Sequence, residues 1–166
     1  TGFPKALDES TFGGPRDGAV RLYVAQPGET FGEQVPLRFV QIAGKDGEAL
    51  LLAYPLRPLA PATDHVVVVT DALRADDRST FEADAVARLT VGLDSPKNDA
   101  ETRRAAYHGP TRALLKEVGI EPARVLRAWD FTTRSKENAL RRLKLMRAIS
   151  EDALSGDGVT VAIDSV

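Results

Sequence analysis

Few residues in this chain are of types that support catalysis, and their spacing matches no catalytic motif. The 166 residues include two histidines and no cysteine. A serine hydrolase of the α/β type needs Gly-x-Ser-x-Gly at a tight strand-to-helix turn, because that turn exposes the nucleophilic oxygen. The pattern does not occur, and Ser155 beside Gly156 is better explained as the end of a helix. We therefore assign no catalytic residue, and we expect this chain not to be an enzyme.

The two histidines lack the spacing of metal ligands. Neither His65 nor His108 has a partner at the His-x-x-x-His or Glu-x-x-His spacing that places two ligands on one helix face. His65 opens an apolar run, where we expect its ring to satisfy a backbone group. His108 precedes Gly109-Pro110 and is expected at a helix start.

Three aspartates, Asp71, Asp76 and Asp77, follow the most β-branched segment of the chain. Carboxylate oxygens are preferred ligands of Ca²⁺, so these three are weak calcium candidates. The Asp-x-Asp-x-Asp-Gly loop with a trailing Glu is missing. Because aspartate is common in turns, we favour a turn with no bound metal or cofactor.

Charge and hydropathy argue against two kinds of partner. The formal net charge is -2, and no aromatic residues interleave the basic helix surface formed by Arg141, Arg142, Lys144 and Arg147, so we expect no nucleic-acid binding. The longest uncharged apolar run, from Ala49 to Leu56, has the length of a strand. No membrane span is therefore expected.

Alternation of apolar residues with a period of two predicts an antiparallel β-domain. The predicted strands cover Val20 to Val24, Val35 to Ala43, Glu48 to Tyr54, His65 to Thr70 and Ala123 to Thr133. The fourth is predicted as a central strand with Val67 and Val69 in the core. In the last, Val125, Trp129 and Phe131 share one face, and we expect them to anchor the core.

Helical spacing appears in two segments. We predict a helical insertion at about 81–119 and a C-terminal helix at about 135–154, in which Leu143 belongs to the apolar stripe and the core. Residues 159–166 alternate again and predict the start of a strand that leads to a following domain. The predicted fold is a mainly β sandwich over residues 1–166, a single domain with these helical additions.

The order of several motifs resembles that of bacterial Ig-like domains in S-layer and exported proteins. The motifs are Asp8-x-Ser10, Gly18 to Leu22, Pro58 to Thr63, Val66 to Arg74, Trp129 to Thr133 and Leu143 to Arg147. More closely, the region from Leu7 to Val166 looks like the Ig-like region that precedes an α/β-hydrolase-type domain in large exported proteins of myxobacteria and their relatives.

The resemblance implies an exported, non-catalytic accessory module that positions or shields a downstream hydrolase-type domain. The alternatives are an autonomous cell-surface or polymer-binding adhesion module, and part of an exported lipase or esterase whose catalytic residues lie outside this chain. In such domains a full strand precedes the position of Leu7, whereas here only Thr1 to Ala6 do. We therefore expect an open sheet edge that pairs with an upstream strand or with a second copy of the chain.

Overall fold

The described part of the chain contains seven strands in two antiparallel sheets. The computed structural model describes residues 2–13, 18–44 and 48–155. The strands are β1 (Gly2–Phe3), β2 (Val20–Val24), β3 (Gln34–Val35), β4 (Leu37–Ala43), β5 (Ala49–Pro55), β6 (Asp64–Thr70) and β7 (Val125–Thr132). Sheet 1 has the order β1-β5-β4, and sheet 2 has the order β3-β2-β6-β7. The predicted antiparallel sheets are confirmed, but within a mixed α/β fold.

The chain passes from sheet 2 to sheet 1 at Pro36. The segment from Val35 to Ala43 was expected to be one strand, but β3 pairs with β2 and β4 pairs with β5. Proline has no backbone N–H and cannot continue a ladder as a donor. The carbonyl oxygen of Pro36 instead accepts a hydrogen bond from the N–H of Leu56 at 2.9 Å.

Three helices form a layer on sheet 2. They are α1 (Ala85–Val91), α2 (Asp99–Tyr107) and α3 (Gly109–Glu117), and they lie within the segment predicted to be helical. Leu114 and Leu115 of α3 pack in one buried cluster with Val66 and Val68 of β6. The helical segment is therefore part of the core rather than a peripheral insertion.

The central position of β6 is confirmed, since it lies between β2 and β7. Its side chains point alternately to the two faces of the sheet. Val69 is buried in a cluster with Leu51 of sheet 1, and the half-buried Val67 packs against the same cluster, while Val66 and Val68 contact the helices. Sheet 1, sheet 2 and the helices thus form three layers that share β6.

The expected core face of β7 is wrong in part, because a register shift separates its residues. Val69 pairs with Arg127 but Thr70 pairs with Val125, so one extra residue lies in β7. Val125 is buried in the cluster with the helices. Trp129 and Phe131 instead lie on the side facing sheet 1, and each is 36% exposed.

The chain divides into two compact units, Thr1–Thr133 and Arg134–Val166. The second contains α4 (Lys136–Ser155), which begins where the Ser135 hydroxyl accepts a hydrogen bond from the N–H of Asn138 at 3.1 Å. The helix is close to its predicted bounds. Leu143 is 62% exposed, which contradicts its expected place in the core, because a single helix cannot bury its own apolar stripe.

Two further sequence predictions concern the ends and the membrane. The strand expected at 159–166 lies outside the described residues. Among the residues that are described, no helix is both long and apolar enough to cross a membrane.

We expect Leu114→Ala to lower the free energy of unfolding by about 2 to 5 kcal/mol, because Leu114 is fully buried between α3 and sheet 2. The matched control is Leu56→Ala, since Leu56 is 64% exposed. Urea denaturation followed by circular dichroism measures both. An effect of Leu114→Ala as small as that of the control would contradict the helical layer.

Candidate functional site

An apolar cleft of about 450 Å³ lies between the two sheets. Sheet 1 contributes Leu51, Ala53 and Pro55 of β5, and sheet 2 contributes Trp129 and Phe131 of β7 among others. The 13 described residues that line it are all apolar. These side chains offer a ligand shape and apolar surface.

Among the described residues, β1 lies over only part of the inner face of β7. Phe3 of β1 lies over β7, where the Arg127 guanidinium stands 5.9 Å from the centre of its ring. β1 has two residues and β7 has eight. Further along the inner face of β7, Trp129 and Phe131 are partly exposed to solvent.

The His65 ring packs against Phe131 at one end of the cleft. Its ring is stacked on that of Phe131, with a centroid distance of 5.3 Å and an interplanar angle of 12°. Its Nδ1 lies 2.9 Å from the carbonyl oxygen of Thr63. The expectation that this histidine satisfies a backbone group is confirmed, and its ring fixes the position of Phe131.

Two threonine side chains form hydrogen bonds between the same end of β7 and the segment around residues 60–64. The Thr133 hydroxyl donates to the carbonyl oxygen of Ala60 at 2.6 Å and accepts from the N–H of Thr63 at 2.9 Å. The Thr132 hydroxyl donates to the carboxylate of Asp64 at 2.5 Å. These bonds hold the strand end that carries Phe131, so this wall of the cleft is preformed.

Two of the three calcium candidates form ion pairs with different basic residues. Asp71 forms an ion pair with Arg124 at 3.1 Å, and Asp77 forms one with Lys5 at 2.7 Å. The pKa of Asp77 is well below its ordinary value because its carboxylate accepts hydrogen bonds from Lys5 and Ser79. Asp76 donates its backbone N–H to the carbonyl oxygen of Ala6. Calcium binding by these aspartates stays a prediction.

A polar cluster links the helical layer to the outer face of β7. The Tyr107 hydroxyl donates to the Asp130 carboxylate at 2.5 Å, which raises the pKa of Tyr107. His108 lies between α2 and α3, as expected for a helix start, and its Nδ1 is 3.8 Å from Asp130. Burial lowers the pKa of His108, although Asp130 opposes that effect.

Sequence reasoning did not find this cluster or the cleft. One helix ends at Tyr107 and the next begins at Gly109, and Tyr107 is 64% exposed. The apolar character of β5 was a usable signal for the cleft. No protein-family model matches the chain, and a search of curated proteins finds no relative.

We expect the free energy of unfolding to fall as the pH is lowered below about 6.5, in part because of His108. Its pKa is lower in the folded chain than the ordinary 6.5, so the unfolded chain takes up the proton first. Asp130, Arg104 and Arg112 are the charged groups acting on it. Urea denaturation between pH 8 and pH 5 should show a smaller loss of stability for His108→Gln, and equal losses would contradict this assignment.

Proposed function

We propose that this chain is a non-catalytic, Ig-like accessory module of an exported bacterial protein, which binds an apolar part of a neighbouring polypeptide in the cleft between its sheets. The neighbour is the hydrolase-type domain that the module positions or shields. The observation that carries the proposal is the preformed apolar cleft in which Trp129 and Phe131 are each 36% exposed.

The chemistry of the lining favours an apolar partner over a polymer of sugars. Sugar hydroxyls need hydrogen-bonding groups beside any aromatic platform, because buried polar groups without partners are costly. The side chains around the cleft supply aromatic and aliphatic surface instead. Aromatic residues at the centre of an exposed apolar patch are typical of protein-binding surfaces.

The two antiparallel sheets also support the Ig-like part of the proposal. They pack face to face around one buried cluster that includes Phe3 and Leu51 of sheet 1 with Val20 and Val69 of sheet 2. Face-to-face packing of two antiparallel sheets is typical of β-sandwiches, and in this way it supports the proposal. The helical layer on the other face of sheet 2 is an addition to that arrangement.

The test uses the dye 8-anilino-1-naphthalenesulfonate, which fluoresces in apolar surroundings. We expect the native chain to bind the dye with energy transfer from Trp129, its single tryptophan. Ala53→Asp places a charge in the cleft and should abolish that transfer. The matched control is Ala100→Asp in the first turn of α2, where an acidic residue is favourable, and it should bind like the wild type.

Two results would contradict the proposed function. Equal dye binding by Ala53→Asp and the wild type would show that the cleft is not the apolar binding site. Hydrolysis of short-chain nitrophenyl esters by the purified chain would show that the module is itself catalytic.

A further inference from the structure

The hydrogen bonds at the two ends of the β4–β5 ladder fix which backbone groups of β5 face away from β4. The N–H of Gly44 donates to the carbonyl oxygen of Glu48, and that of Leu56 donates to Pro36. Bonded pairs alternate along an antiparallel ladder. Leu52 and Tyr54 therefore bond to β4, whereas the N–H and C=O of Ala53 point to the opposite edge.

That opposite edge is the one on which β1 pairs, near the start of β5. Gly2 pairs with Leu50 and Phe3 with Ala49. Among the described residues no strand pairs with Ala53 on this side. An edge with unpaired N–H and C=O groups is a template for another strand.

A strand that continued the β1 ladder would lie over the open cleft. Phe3 points inward and is buried, so alternate residues of such a strand would also point inward. Their side chains would stand opposite Ala53 and Pro55, above Trp129 and Phe131, which line the cleft on the β7 side. The backbone edge of β5 and the apolar cleft therefore form one binding surface, in which the edge would bond to the backbone of a strand and the cleft would contact its side chains.

We propose that the partner is an extended strand of another polypeptide, with apolar side chains at alternate positions, which pairs antiparallel to β5 at Ala53. This inference rests on the proposed function and names its partner. The occupant is a strand rather than a compact apolar molecule because the edge presents a donor and an acceptor beside the apolar surface.

A second copy of the chain fits this edge less well. Its own β5 carries β1 on the same edge, at Ala49 and Leu50. A separate strand carries no such neighbour on its edge.

The test uses a synthetic peptide of alternating valine and threonine with a lysine at each end. We expect it to change the emission of Trp129 in a saturable manner, and to compete with 8-anilino-1-naphthalenesulfonate. The control peptide is N-methylated at the valines, which keeps the apolar side chains but removes the N–H groups that would bond to Ala53. It should bind at least tenfold more weakly.

Variants of the protein test the hydrogen bond that the N–H of Ala53 would donate to the peptide. Ala53→Pro removes the edge N–H and should weaken peptide binding, whereas Asp99→Pro, at the first position of α2 where proline is favourable, should bind like the wild type. Circular dichroism verifies that both variants are folded. If Ala53→Pro does not fold, the N-methylated peptide tests the same hydrogen bond on the wild-type protein.

The outcomes separate this inference from the proposed function. Equal affinity of the methylated and unmethylated peptides would overturn strand pairing and leave the apolar cleft standing. Dye binding without any peptide binding would do the same. If neither the dye nor the peptide binds to the protein, the proposed function is overturned as well. A dimer that Ala53→Pro dissociates, seen by analytical ultracentrifugation, would identify a second copy as the occupant and overturn the proposed partner.

Discussion

The fold depends on burying both faces of β6. The side chains of Val66 and Val68 need the helices and those of Val67 and Val69 need sheet 1, so neither layer can be removed without exposing valines. Each buried valine contributes on the order of 1.5 to 3 kcal/mol relative to exposure. The two buried polar side chains of the strand both have hydrogen-bond partners. His65 bonds to a backbone carbonyl, and Thr70 donates its hydroxyl to the carbonyl oxygen of Ala19. One strand thereby organises three layers.

The sequence was most informative where a local pattern and the final environment agree. A run of β-branched residues can satisfy its backbone and its side chains only in the middle of a sheet, so β6 was predictable. The break at His108 and Gly109 and the N-cap at Ser135 follow from equally local chemistry. The end of β3 before Pro36 was also predictable, since proline cannot continue a β-ladder.

The faces of β7 were not predictable for a physical reason. A period of two assigns Val125 and Trp129 to one face only if no bulge lies between them, and a bulge depends on pairing with Thr70 far away in sequence. The exposure of Trp129 depends likewise on how sheet 1 packs over it, which no feature of β7 encodes. The contact between Tyr107 and Asp130 is also long-range. Such features arise from tertiary pairing, whereas strand and helix positions arise locally.

The energetics of the cleft decide what kind of occupant it can hold. With about 200 Å² for each aromatic side chain, covering the exposed 36% of Trp129 and Phe131 would contribute about 3 to 4 kcal/mol. Association costs at least about 4 kcal/mol in lost translational and rotational freedom, so this burial alone does not produce stable binding. A partner must add apolar side chains of its own and use the backbone edge at Ala53. A polypeptide strand supplies both together, and attachment to the same protein as the module would lower the entropic cost further by raising its effective concentration.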